Sequence, residues 1–166
     1  MPSTPTHPLH WQQLRFTQLS TMQLYALLQL RTDVFVVEQQ CAYPELDGKD
    51  NDPGVLHVLG TTHTTALAAY LRVLPPGLSY AEPSIGRVVI AAAYRGTGLA
   101  HALLREGIRL VHTHWPGSAI QLGAQAHLQP FYAAHGFAPS SAPYLEDGIP
   151  HLDMLRPAGA ATLEST

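Results

Sequence analysis

The sequence has one cysteine in 166 residues, so Cys41 can form neither an intrachain disulfide nor a cysteine-based zinc cluster, which suits a reducing compartment. Lysine and arginine are also scarce: nine in all against twelve Asp and Glu, scattered along the chain, for a formal charge of −3. No basic stripe is left for a phosphodiester backbone, and nucleic acid is not an expected partner. No run of eighteen apolar residues occurs, and "MPSTPTHP" at the start has no cationic n-region, so neither membrane spanning nor export is indicated and the expected location is cytoplasmic. Ten histidines are present, but no His-Glu-x-x-His. His112 and His114 stand two apart and point to different sides of a helix, so no metal site is expected.

What remains fits one α/β domain of ordinary size over residues 9–156, with Pro-rich residues 1–8 and the tail 157–166 expected to be disordered. "LHWQQLRF" (9–16) reads as a first strand. Ser20 and Gln23 form a capping box for a helix carrying Leu24, Leu27 and Leu28 on one face, in a helical region continuing to about Gln39. The acidic turn "DGKDNDPG" (47–54), read as solvated, precedes a hairpin made from 55–60 and 66–74. A strand at 85–90, a helix from about Gly98 to Thr113, a strand at 119–125, a short helix in "LQPFYAAHGF" and a last strand at 149–156 complete the chain. A strand-helix-strand crossover occurs only in the second half, which implies a mixed rather than an all-parallel sheet.

The stretch "YRGTGLA" (94–100) sits between a strand and a helix. Its glycines let the backbone approach a ligand, and the free N–H groups and positive dipole end of the helix favour anionic oxygen. The P-loop is excluded because no Lys-Ser or Lys-Thr follows. The dinucleotide fingerprint fails at His101, where Gly or Ala is needed. It fails again for want of any Asp or Glu between Glu106 and Glu146 to hold a ribose.

The pattern that does fit is Arg/Gln-x-x-Gly-x-Gly/Ala, met by Arg95, Gly98 and Ala100, and "PFYAAHGF" (130–137) supplies a second block with Tyr132 ahead of Gly136-Phe137. Together these resemble the coenzyme A motifs of the GNAT (Gcn5-related N-acetyltransferase) superfamily over about residues 20–156. "LYALLQLRTDVFVVEQ", "LGAQAHLQPFY" and "EDGIPHLDM" are similar to its ElaA-like group. The resemblance implies a mostly antiparallel sheet splayed between its fourth and fifth strands and flanked by helices. It implies acetyl-CoA as acyl donor, no metal, and direct acetyl transfer to a primary amine of a small molecule or protein. The pantetheine arm would pair with Val88, Val89 and Ile90, and the pyrophosphate would rest on Arg95, Gly96, Thr97, Gly98, Leu99 and Ala100. Tyr132 would serve as the acid at the sulfur.

The base is open. The superfamily often places a carboxylate on or near the fourth strand, but "IGRVVI" has none; Glu38, His151 and His57 are the candidates, with a water relay beside them. A non-catalytic acyl-CoA binding module is the alternative reading. Acyl-homoserine lactone synthesis on a related fold is a third, for which no basic docking surface is seen. Acceptor identity and assembly state, a homodimer included, stay open at this point.

Overall fold

The computed structural model describes residues 9–160. Strand β1 (His10–Leu14) leads through a short 3-10 turn to α1 (Thr21–Arg31), whose N-terminus is closed reciprocally: Ser20 Oγ accepts from Gln23 N at 3.0 Å and Gln23 Oε1 from Ser20 N at 2.9 Å. The helical region runs on as a π-helix, Thr32–Glu38, before a loop over residues 40–55. Then come β2 (Leu56–Thr61), β3 (Leu67–Leu74), β4 (Ser84–Ile90), α2 (Leu99–His114), β5 (Ile120–Gln125), α3 (Gln129–Ala133), β6 (Ala138–Pro139), β7 (Tyr144–Glu146) and β8 (Ile149–Arg156).

The sheet order is β1-β2-β3-β4-β5-β8-β6, with β7 also on β8. All pairs are antiparallel except β4 with β5, which meet in parallel at Ser84 and Gln121 only. Beyond that point the two strands diverge, giving the open mixed sheet that the resemblance implied. The hairpin β2–β3 matches its expected strands. The pieces absent from the sequence reading are β6 and β7. β6 is two residues long and includes a proline, and β7 is a three-residue arm of a hairpin turned by Asp147 (φ 50°) and Gly148 (φ 77°). An Asp-Gly pair is the turn chemistry of a two-residue hairpin, so "EDGI" did carry the signal.

Alternation along β3 and β4 splits the core between two faces. Leu71, Val73 and Ile85 lie under α2 with Leu103, Leu104 and Ile108, while Tyr70 and Val89 lie under α1 with Leu27. Gly107 lets α2 settle closely, since a Cβ there would stand 3.0 Å from Leu71 Cδ2. Residues 1–8 and 161–166, expected to be disordered, lie outside the described residues. Residues 157–160 form a turn in which the Ala160 carbonyl accepts from Arg156 Nη2 at 2.7 Å. Among the described residues no helix is long and apolar enough to cross a membrane, and no group of three or more His, Cys, Asp or Glu could hold a metal ion.

Candidate functional site

Where β4 parts from β5, its main chain has a free edge. Ala91 N donates to Ala68 O on β3, and the register Ala69↔Ile90, Tyr70↔Val89 then fixes the alternation: Val89 turns its polar groups to β3, and Ile90 turns its own to the gap. The Ile90 carbonyl accepts from Arg95 Nε at 3.2 Å, as an open-edge group would. Val89 is therefore not a backbone partner for a strand-like ligand, in contrast to the sequence reading; its side chain is buried beneath α1. A bulge falls where the register shifts opposite Leu71, with Arg87 at φ 53° in the left-handed region, and the signal for it is Gly86 just before, a glycine inside a strand pattern.

After β4 a 3-10 turn (Ala92–Tyr94) delivers the glycine loop. Gly96 and Gly98 have φ of 79° and 77°, conformations open to glycine at little cost, and Gly98 is the residue before α2. The N–H groups of Gly96, Thr97, Gly98, Leu99 and Ala100 donate to no described residue, and a Cβ at either glycine would meet nothing within 4 Å. Five free donors thus stand at and just before the start of a sixteen-residue helix, where an anionic oxygen is favoured, in the chain segment that follows β4.

A cleft of about 530 Å³ opens beside Val88 at the splay, and Tyr132 and His151 both line it. Tyr132, on α3, is only 6% exposed and packs edge-on against Phe131 and Phe137. Burial pushes its phenol up to about 12, and among the described residues no hydrogen bond holds its hydroxyl. His151, on β8, places Nδ1 2.7 Å from the Ile149 carbonyl and stacks on Tyr144. In neutral imidazole the proton sits on the nitrogen facing a carbonyl, which leaves the Nε2 lone pair free, with Glu146 Oε2 3.5 Å away.

Two other base candidates are not in the cleft. Glu38 is a surface residue held by Arg95 in a two-pronged pair, Nη1 to Oε1 at 2.7 Å and Nη2 to Oε2 at 2.8 Å, and the Arg95 hydrogen bonds hold its carboxyl below the usual range, a poor state for a base. His57 is fully buried between Tyr70 Oη (2.7 Å) and the Asp50 carbonyl (2.9 Å), and burial lowers its pKa.

The acidic turn is not solvated as expected. Arg31 bridges Glu45 (Nε–Oε1 2.8 Å) and Asp50 (Nη1–Oδ1 2.7 Å), Arg72 bridges Asp50 and Asp47, and Arg87 reaches Glu45 and Asp47. Three arginines and three carboxylates thus fasten the loop over residues 45–50 to α1, β3 and β4, forming one wall of the cleft. Partners so far apart in sequence, such as Arg72 and Asp47, leave no local pattern. Burial alone would raise the Asp47 and Asp50 carboxyls, but hydrogen bonds and charge from Arg72 and Arg31 outweigh it and hold both below the ordinary 3.8. A carboxyl depressed on folding stabilises fully above its unfolded pKa and loses that contribution as pH falls through its folded one. Stability measured by urea titration is therefore expected to fall steeply below about pH 4 as these carboxyls protonate, after a shallower decline from about pH 6.5, where the unfolded chain begins to protonate His57 and His135, which burial holds neutral in the fold. An Asp50→Asn variant should start lower and lose less over that acid window; an unchanged slope would contradict the assignment.

The chain's sequence over residues 36–156 matches the family model for the acetyltransferase (GNAT) domain. It is 45% identical over 148 residues to Protein ElaA of Escherichia coli strain K12, covering 89% of this chain and 96% of that protein. The crystal structure of E. coli ElaA superposes with a TM-score of 0.83, covering 89% of this chain and 99% of that one. An acyl-CoA N-acyltransferase from Pseudomonas aeruginosa, 43% identical, superposes with a TM-score of 0.85 over 89% of this chain and 99% of its own. The CoA-dependent acyl-homoserine lactone synthase BjaI, at 16% identity, a TM-score of 0.70, 89% of this chain and 82% of its own, shares the fold alone.

Proposed function

This chain belongs to the GNAT acetyltransferase family and is an acyltransferase that uses an acyl-CoA, and from that premise we propose that it moves an acetyl group from acetyl-CoA to a primary amine by direct attack. The observation that carries this reading is the continuity of three features: free N–H groups at 96–100, the open β4 edge at Val88 and Ile90, and a cleft containing an unpartnered tyrosine hydroxyl. The residues present fit the donor. The loop offers donors to a diphosphate, Ile90 offers main-chain groups to an amide-bearing arm, and Tyr132 offers a proton donor at the cleft. The donor itself supplies an acyl carbon activated as a thioester.

An amine near pKa 10.4 arrives as ammonium and must lose two protons to become an amide: one before attack and one after. His151 Nε2 takes the first and passes it to solvent. The second balances the proton that the departing sulfur gains. Burial pushes the Tyr132 phenol up to about 12, so it holds its proton firmly beside the sulfur. Its first task is therefore to hydrogen-bond the sulfur as negative charge gathers there. Arg95 can add charge at the diphosphate only by leaving Glu38. Glu38→Ala is accordingly expected to tighten CoA binding by about two- to fivefold in calorimetry, the scale of an exposed ion pair; weaker binding would contradict that role.

Thiol release with mass detection of the product, over a panel of amines and with acetyl-CoA beside longer acyl donors, tests the proposal. Acetyl-CoA is expected to be the best donor and a primary amine the acceptor. Preference for a longer acyl chain would remove the acetyl assignment, and the lack of any amide product would remove the acceptor class.

A further inference from the structure

The charges around the cleft are not balanced once the arginine network is set aside. Arg72 and Arg87 line the cleft, but each is engaged by Asp47 together with Asp50 or Glu45. Arg87 Nε lies 2.8 Å from Glu45 Oε1, and Arg72 Nε, though without a hydrogen-bond partner, is sealed from solvent, so neither offers a seat to an incoming carboxylate. Lys49 is the cation left over, and its Nζ donates to Ser79 Oγ at 2.6 Å. Against it stand Glu146 and Asp147 on the cleft wall and Asp153, joined to the wall through Tyr80 and Tyr144, none of them paired with a lysine or arginine among the described residues.

Asp153 is the most built of these. Its Oδ1 accepts from Tyr80 Oη at 3.0 Å and from Tyr144 Oη at 2.7 Å, and no described residue donates to Oδ2. Two phenols converge on one oxygen only because Gly123 stands across the β5–β8 ladder: a Cβ there would sit 3.2 Å from Tyr144 Oη and 3.3 Å from Tyr80 Oη. Tyr80, Tyr144 and Gly123 all line the cleft. The same cleft is lined by Tyr132, a side chain only 6% exposed whose hydroxyl has no hydrogen-bond partner among the described residues, which marks its reacting end. Asp153 and His151 are two residues apart on β8 and so share a face, about 7 Å along the strand.

Resting on the amine-acetylation reading, we propose that the acceptor is a diamine or longer polyamine whose second ammonium binds at Asp153, in the corner formed by Tyr80 and Tyr144, while its first meets His151. A carboxylate already holding two neutral donors on one oxygen keeps the other for a charged donor, and a four-carbon diamine spans a distance comparable to that between the two β8 positions. Acceptors bearing a carboxylate at that end meet Asp153, Glu146 and Asp147 and are repelled.

Three acceptors of one chain length separate the possibilities: 1,4-diaminobutane, 1-aminobutane and 4-aminobutanoate, each with acetyl-CoA and the full chain, read as thiol release and product mass. The diamine is expected to exceed the monoamine at least tenfold in kcat/KM, chiefly through KM, with the amino acid slowest. In Asp153→Asn the diamine-to-monoamine ratio is expected to fall toward one, with calorimetric CoA binding and Tm close to those of the parent protein. If Asp153→Asn perturbs folding, Tyr80→Phe, which removes one phenol from Oδ1, provides the second variant and is expected to alter the same ratio. A ratio at or below one in the parent protein, faster turnover of 4-aminobutanoate, or a ratio unmoved in Asp153→Asn would overturn the inference while leaving acetylation intact. No turnover of any of the three would overturn this inference, and the amine-acetylation reading falls with it only if no amide product forms across the wider amine panel.

Discussion

Tyr132→Phe is expected to lower kcat by about 10²- to 10⁴-fold, the range over which a positioned proton donor contributes, while CoA affinity stays within about twofold. The hydroxyl is the one polar atom of a side chain otherwise packed against Phe131 and Phe137, and it makes no hydrogen bond among the described residues. Its removal leaves no protein group unsatisfied, so Tm should hold or rise slightly. A structural tyrosine would behave in the opposite way, with stability falling and turnover kept. Single-turnover measurements with saturating amine distinguish the two directly: if the acyl-transfer step runs at the parent rate in the phenylalanine variant, Tyr132 has no part in the chemistry.

Arg31→Ala is expected to destabilise the fold by about 3–5 kcal/mol, because it leaves the carboxylates of Glu45 and Asp50 without their central partner in a place that water does not reach freely. Arg31 is fully buried and Glu45 is 5% exposed. At this chain length such a loss corresponds to roughly 6–20 °C in Tm. The surface pair Arg109–Glu106, at 3.0 Å one turn apart on α2, provides the contrast. Arg109→Ala should change stability by less than about 0.5 kcal/mol, since exposed pairs are screened and mobile. Differential scanning calorimetry of both variants decides the matter; equal shifts would mean that the network is as weakly held as the surface pair.

These two side chains also show what a sequence can and cannot carry. Tyr132 was legible because it lies in a contiguous block, "PFYAAHGF", whose helix and glycine turn are local features. The same holds for the glycine loop and for the Ser20–Gln23 capping box, each set within a few residues by backbone conformation. Arg31 pairs with Glu45 and Asp50 across fourteen and nineteen residues, and how deeply Asp47 and Asp50 are drawn in depends on Arg72 on β3 and Arg87 on β4. Glu38 could not be separated from His151 for a similar reason. Its pairing with Arg95 crosses 57 residues, and only the folded chain brings the end of the π-helix beside the loop. The bulge at Arg87 and the Asp153–Tyr80–Tyr144 corner likewise depend on strand register, which a one-residue slip would erase.

The central claim is that main-chain groups of the glycine loop and of the free β4 edge grip the acyl carrier, and amide hydrogen exchange reads those groups one by one. On adding saturating CoA, the amides of Gly96, Thr97, Gly98, Leu99, Ala100 and Ile90 are expected to slow by at least about tenfold, while Val89, already paired with β3, changes little. Exchange left unchanged at 96–100 with CoA at millimolar concentration, or protection appearing only on another face of the sheet, would contradict it.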